Sequence, residues 1–228
     1  MQPYFFPYIG YFQLINAVDK FVFYDDVNFI KQGWINRNKI LNNGKEFLIT
    51  VPCCNISSFK KINEIEIDKN NKRIIKLLRT IETVYCKAPF FKEIFGLINS
   101  LFNKDIKIIS ELAIESLVSV SNYLNVQAEF ILSSEKHSDS LGLDKADRLI
   151  KIAEKENNDT YINPIGGIAL YDKKYFAKYG IQLYFLKSKN ITYKQFNNNF
   201  VPWLSIVDVI MFNHPDKIRE MLKDYELI

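Results

Sequence analysis

The sequence predicts an α/β fold, a mostly parallel, Rossmann-like sheet covered by helices with a helical insertion in the middle of the chain, and three observations predict it. First, residues 127–132, 144–156, 160–163, 172–179 and 181–186 alternate strand-like and helix-like apolar patterns. That β-α-β-α-β order belongs to a parallel sheet. Second, a short helical stripe over 10–18 (Phe12, Leu14, Ile15, Ala17, Val18) runs into Phe21, Val22, Phe23 and Tyr24, a buried-strand run closed by Asp25 and Asp26. Third, residues 70–85, 89–102 and 107–124 each carry an apolar stripe at helical spacing, which gives an insertion over 70–125.

The remaining elements follow from the same patterns. Residues 47–51 read as a strand ended by Pro52, and 62–67 alternate as an edge strand would; the two are expected to pair across the 53–61 loop. Residues 201–212 and 215–225 read as closing helices. There is no repeat, low-complexity tract or linker, so residues 1–228 form a single domain. A chain of 228 residues, nearly half of them hydrophobic, can bury a sizeable core.

Composition excludes several function classes. No apolar run reaches the roughly 18 residues of a membrane span, and the beginning lacks the basic-then-apolar pattern of a signal peptide, so a cytoplasmic location is expected. Cys53 and Cys54 are neighbours, Cys86 stands apart, and the histidines are only His137 and His214. These residues form neither a disulfide framework nor a zinc site. The net charge of +4 comes from lysines scattered among Asn and Ile, not from a concentrated basic face, so nucleic acid is not an expected partner.

Two stretches carry chemistry. The first is Gln2-Pro3-Tyr4-Phe5-Phe6-Pro7-Tyr8-Ile9-Gly10-Tyr11-Phe12, which the two prolines stiffen before a helix opens near Gly10. The helix start favours an anion such as phosphate, with Gln2, Tyr4, Tyr8, Gly10 and Tyr11 as the contacting set. The alternative is an aromatic clamp holding the beginning of the chain onto the core. The spacing Tyr8-Ile9-Gly10-Tyr11 also resembles the His-Ile-Gly-His motif of nucleotidyl-transferring and adenylate-forming enzymes, with tyrosine in both histidine positions.

The second stretch is 25–39. Asp25 and Asp26 at a strand end suit a base, a divalent ion or sugar hydroxyls. Gln32, Trp34, Asn36, Arg37, Asn38 and Lys39 supply a flat ring and a fork-and-point pair of cations for a phosphate or carboxylate. A solvated turn followed by a polar strand is the competing interpretation. Because open parallel sheets bind ligands at the carboxyl ends of their strands, residues 25–26, 133–143, 163–167 and 187–199 are expected to converge. His137 is a candidate acid–base group or a surface loop residue. Asn163 and Gly166 belong to a backbone anion nest or a plain turn. Cys53 and Cys54 read as structural, and Phe200, Pro202 and Trp203 read as packing. Ser205 and Asp208 lie one turn apart on an apolar helix, where a buried polar pair needs a reason.

Taken together, the opening segment, Asp25-Asp26-Val27, Trp34-Ile35-Asn36-Arg37-Asn38-Lys39-Ile40 and Leu204-Ser205-Ile206-Val207-Asp208 resemble the WbqC-like protein family over essentially the whole chain. The resemblance implies a role in surface-polysaccharide or O-antigen synthesis. It also implies a short apolar strand ahead of the Gln2-Pro3-Tyr4 segment, so a longer native chain or marginal stability is expected. The function that follows is acyl or aminoacyl transfer, forming an amide on an amino sugar with a nucleotide-linked sugar as partner. In it, Tyr8, Gly10 and Tyr11 hold a phosphate, Arg37 and Lys39 clamp it, Trp34 stacks on a ring, and Asp25 or Asp26 takes the amine proton. The alternatives are a nucleotidyl-transferring or adenylating enzyme and a non-catalytic nucleotide-sugar binding module. The pattern leaves the cofactor open.

Overall fold

The structure, a computed structural model, describes residues 1–68, 71–197 and 199–228. Asn70, the predicted first residue of the insertion, lies outside them, as does Asn198 in the 187–199 loop. The chain begins in an extended segment and enters α1 (Ile9–Asn16), then β1 (Lys20–Phe23), a hairpin of β2 (Arg37–Asn42) and β3 (Lys45–Thr50), and three long helices, α2 (Asn71–Tyr85), α3 (Phe91–Asn103) and α4 (Ile109–Tyr123). β4 (Glu129–Leu132), α5 (Ser133–Lys136), α6 (Lys145–Lys155), β5 (Thr160–Pro164), α7 (Lys173–Ala177) and β6 (Gln182–Ser188) follow. The chain closes with α8 (Ile206–Phe212), α9 (Pro215–Met221) and β7 (Tyr225–Leu227).

The β-α-β alternation is present, but among the described residues it does not assemble one continuous parallel sheet. β1 pairs in parallel with β4, Lys20 opposite Glu129 through Phe23 opposite Leu132. β5 pairs in parallel with β6, and β6 is antiparallel to β7. Between the two sheets, Met1 lies beside β1: its N–H donates to Val22 (2.7 Å) and its carbonyl accepts from Tyr24 (2.8 Å). A cavity of about 380 Å³ lined by Lys20, Phe21 and Val22 on one side and Thr160, Tyr161 and Ile162 on the other keeps β1 from β5. Ladder pairing needs strands about 4.8 Å apart, so this space divides the expected sheet.

Two local pairings differ from expectation for identifiable reasons. β3 pairs with β2 and not with residues 62–67, because Asn43 and Gly44 both adopt positive φ (50° and 72°), the two-residue turn that joins neighbouring strands directly. Residues Ile62–Glu64 form a single 3₁₀ turn, in which Ile62 and Ile65 are both buried at a spacing of three. Only a bridge between Cys53 and Ile67 remains of the predicted pairing. The predicted 201–212 helix starts only at Ile206, behind Pro202 and a Trp203 held at φ +60°. There Ser205 caps it, its hydroxyl accepting from the Val207 N–H at 3.2 Å. The predicted 215–225 helix ends at Met221, and the chain turns back as β7 from Tyr225.

The main core joins the opening segment to α1–α4, the hairpin, α8 and α9 around Phe5, Phe6, Phe12, Ile40, Tyr85 and Leu117. Each fully buried large apolar side chain contributes on the order of 1.5–3 kcal/mol. A second, smaller cluster of Leu149, Ile150, Phe176, Leu183 and Phe185 packs α6 and α7 onto β5 and β6.

Candidate functional site

Because β1 and β4 are parallel and in register, the residues that follow them emerge at one edge. After β1 come Tyr24, Asp25 and Asp26; after β4 come Ser133 and Ser134, the first residues of α5. Both carboxylates are 3% exposed. Oδ1 of Asp25 accepts from the Ser134 N–H (3.0 Å) and lies 3.2 Å from the Ser133 hydroxyl, while Oδ2 accepts from the Ser134 hydroxyl and, at 3.5 Å, from the Asn63 amide. Oδ1 of Asp26 accepts from the Ser133 hydroxyl at 2.6 Å. Ser133 has a single hydrogen, so the shorter bond places it on Asp26.

Arg148, on α6, completes the cluster. Its Nη2 reaches both oxygens of Asp26 (2.8 and 2.7 Å), its Nε donates to Ser140 (3.1 Å), and its guanidinium sits 4.5 Å over the Tyr24 ring. Ser140 in turn donates to the His137 carbonyl at 2.6 Å. Adjacent buried carboxylates are costly unless hydrogen-bonded and paired, and here hydroxyls, an amide N–H and one cation meet that need. The Tyr24 hydroxyl is buried without a partner among the described residues, and burial pushes its pKa up, so it remains a neutral donor.

The rest of the 25–39 stretch separates from this cluster. Asn36 donates its side-chain amide to Val51 (2.9 Å), and Asn38 donates to the carbonyls of Phe5 (3.1 Å) and Phe6 (2.7 Å); both are internal braces. Gln32 adopts φ +62° in a turn whose carbonyls, Gln32 and Gly33, accept from the Arg37 guanidinium, which lies 5.9 Å over the Trp34 ring. Lys39 is ion-paired with Glu46 on the neighbouring strand.

The opening segment is likewise divided. Phe5 and Phe6 are fully buried, with the Phe5 N–H shared between the Trp34 and Ile35 carbonyls and the Phe6 N–H donated to Ser116 (3.1 Å). Tyr11 is buried and donates its hydroxyl to the Gln2 carbonyl (2.7 Å), and Tyr4 packs 5.7 Å from its ring. Tyr8 is half-buried and stands with Ile9 at the rim of a cleft with Trp203. Gly10 makes this possible: a Cβ there would stand 2.3 Å from Cε2 of Tyr8.

His137 is 1% exposed, its Nε2 is 3.2 Å from Glu156, and burial lowers its pKa. The Asn163 amide donates to the Tyr161 hydroxyl (3.2 Å). The glycine this turn requires is Gly167, where a Cβ would meet the Asn163 side chain at 2.7 Å; a Cβ on Gly166 would meet nothing. Trp203 is 61% exposed, a correction to its expected role in packing. Ser205 and Asp208 acquire their reason. The Ser205 hydroxyl donates to Phe6 (2.6 Å), and Asp208 accepts from Tyr85 (2.7 Å), Tyr193 (2.6 Å) and Gln195 (2.7 Å).

The sequence signal for the missed partners was positional. Ser133-Ser134 follow β4 as Asp25-Asp26 follow β1, and Arg148 directly precedes Leu149 and Ile150 on the inward side of α6.

The sequence matches the WbqC-like protein family over residues 2–220. The chain belongs to this family. It is also 28% identical over 226 residues to uncharacterized protein Rv1507c of Mycobacterium tuberculosis, covering 96% of each chain. No solved structure matches it. Among the described residues of this WbqC-like protein, no helix is long and apolar enough to cross a membrane.

Proposed function

We propose that this WbqC-like protein is a transferase that joins an acyl or aminoacyl group to the amine of a nucleotide-linked amino sugar during surface-polysaccharide assembly. The observation that carries this reading is the Asp25–Asp26–Ser133–Ser134–Arg148 cluster at the shared carboxyl edge of β1 and β4, where open α/β sheets bind their ligands. Amide formation joins the amine nitrogen to the acyl carbon while the bond from that carbon to the leaving group of an activated acyl donor breaks and the leaving group departs with that bond's electron pair, and it requires the attacking amine to lose a proton. Ser134, half-buried and bonded to Asp25, passes its own proton to that carboxylate as it takes the proton from the amine. Ser133 lies against both carboxylates and Arg148 pairs with Asp26, which holds the two acids in place.

The test is incubation of the protein with UDP- and dTDP-linked amino sugars, ATP and glycine, followed by mass spectrometry of the sugar nucleotide. Asp25→Asn and Ser134→Ala are expected to lower product formation by roughly 10²-fold or more while leaving substrate binding in place. Absence of product across the donor panel overturns the reading. A second reading, a non-catalytic sugar-nucleotide module, is favoured by the complete occupation of Asp25's oxygens. It expects binding without turnover in both the parent protein and Asp25→Asn.

A further inference from the structure

We propose that the cleft between Tyr8 and Trp203 is a subsite for a single hexopyranose ring, with Trp203 as its stacking face. The proposal rests on the transferase reading for its choice of ligand class, but it is tested by binding alone. The cleft has a volume of about 320 Å³ and is lined by Tyr8, Phe200, Trp203, Lys189, Asn190 and Thr192. That volume lies at the small end of ligand sites, enough for one ring and too little for a whole sugar nucleotide.

Its walls are unlike a packing defect. Trp203 is held at φ +60°, a conformation bulky side chains avoid, and that conformation leaves its indole exposed above the cavity. The ring meets Tyr8 at 5.9 Å and 62°, which makes a corner and not a stack. An aromatic corner with amide, hydroxyl and ammonium groups around it suits a pyranose, whose C–H face is apolar and whose edge carries hydroxyls. Among the described residues, no Asp or Glu lines the cleft.

The corner is also rigidly mounted. Gln195 grips Val201 at both ends, accepting its N–H (2.7 Å) and donating to its carbonyl (3.1 Å), and is itself bonded to Asp208. On the other side of Trp203, the Ser205 N–H donates to Lys39 (2.8 Å) and the Ile206 N–H to Pro7 (2.7 Å), next to Tyr8. Tyr193, which lines the cleft, donates to Asp208 and packs edge-on against Phe200 at 5.1 Å. Both walls are therefore fixed to the start of α8 before any ligand arrives, the preorganisation a binding site needs.

The test uses tryptophan emission. Trp34→Phe leaves Trp203 as the remaining one of the two tryptophans. Titration of that variant with UDP- and dTDP-linked N-acetylhexosamines is expected to shift Trp203 emission saturably, about tenfold more tightly than with UDP or dTDP alone. By calorimetry, Trp203→Ala is expected to lose about tenfold in affinity with an unchanged urea midpoint. Gly10→Ala, which displaces the Tyr8 ring, is expected to weaken binding in the same sense. Equal affinity for the free nucleotide diphosphates, no saturable response from any sugar nucleotide, or full affinity in Trp203→Ala overturns the subsite. Saturable binding without product removes the transferase reading and leaves the subsite standing; product formation by Trp203→Ala with unchanged KM does the reverse.

Discussion

Replacing Arg148 with Met tests whether the site's charges are held together as the geometry implies. Arg148 is the cation of a pair whose side chains are 8% and 2% exposed, and Asp26 keeps only the Ser133 hydroxyl once the guanidinium is gone. Breaking a buried pair at one partner costs about 3–5 kcal/mol, because the remaining charge is desolvated and uncompensated. The lost contact with the Tyr24 face adds up to about 2 kcal/mol at a desolvated position. Against a total stability of about 5–15 kcal/mol the variant is expected to fold weakly, its melting temperature lowered by roughly 6–28 °C. Urea unfolding followed by far-ultraviolet circular dichroism measures this at constant slope. The double variant Asp26→Asn/Arg148→Met removes both charges together and is expected to recover about 2 kcal/mol or more relative to Arg148→Met. A single-variant loss below about 1 kcal/mol, or strict additivity in the cycle, refutes the reasoning.

Three further outcomes follow from the same packing. Iodoacetamide labels exposed Cys86 rapidly and Cys53 only on unfolding, because burial pushes the Cys53 thiol up to about 12 despite the Asn36 amide beside it; mass spectrometry of tryptic peptides reads the order. His137 has its pKa lowered by burial from 6.5, so the unfolded chain binds the proton first, and stability falls as pH drops below about 6.5 and is flat above it; His137→Gln is expected to shrink the loss seen between about pH 7.5 and 5.5 in urea titrations. Asp208→Asn replaces one carboxylate oxygen with N–H₂, which then faces either the Tyr85 hydroxyl or the Tyr193 and Gln195 donors, and is expected to cost about 1–3 kcal/mol per donor left without an acceptor, read as a lowered urea midpoint.

Element type was legible where periodicity was strong. The helices of the 70–125 region and the strand–helix alternation after Gln127 follow from apolar spacing, since both faces of each pattern are decided by burial. The β2–β3 hairpin was hidden because its polar members face inward as braces: Asn38 is buried, spending its amide on the carbonyls of Phe5 and Phe6, and β-sheet alternation assigns a buried amide to solvent. The Asn43-Gly44 turn was the available signal. At the site, Asp25 and Asp26 were legible as a pair at a strand end. The strand-end rule also pointed to the 133–143 segment beside them, but not to Ser133 and Ser134 as the donors or to Arg148 as the cation, because these lie more than a hundred residues away and their side-chain pairing is set by the register of β1 and β4 and the packing of α6.

Asp208 ties the Trp203 loop to α2 and the hairpin through the core. Burial raises its pKa, while Tyr193, Tyr85 and Gln195 stabilise the ionised form by donating to it. A carboxylate whose folded pKa exceeds its unfolded value makes folding less favourable as pH rises through that interval, so this group is a net cost at neutral pH. An apolar residue at 208 avoids that cost but leaves the two hydroxyls and the Gln195 amide unbonded, and with them the grip on Val201 and the corner at Trp203. The same Tyr85 hydroxyl accepts from the Leu41 N–H at 3.1 Å, which ties the hairpin to the same carboxylate. A residue that opposes folding at neutral pH yet fixes α2, the hairpin and the Trp203 loop in one arrangement fits a chain in which the placement of that loop matters more than the stability it costs.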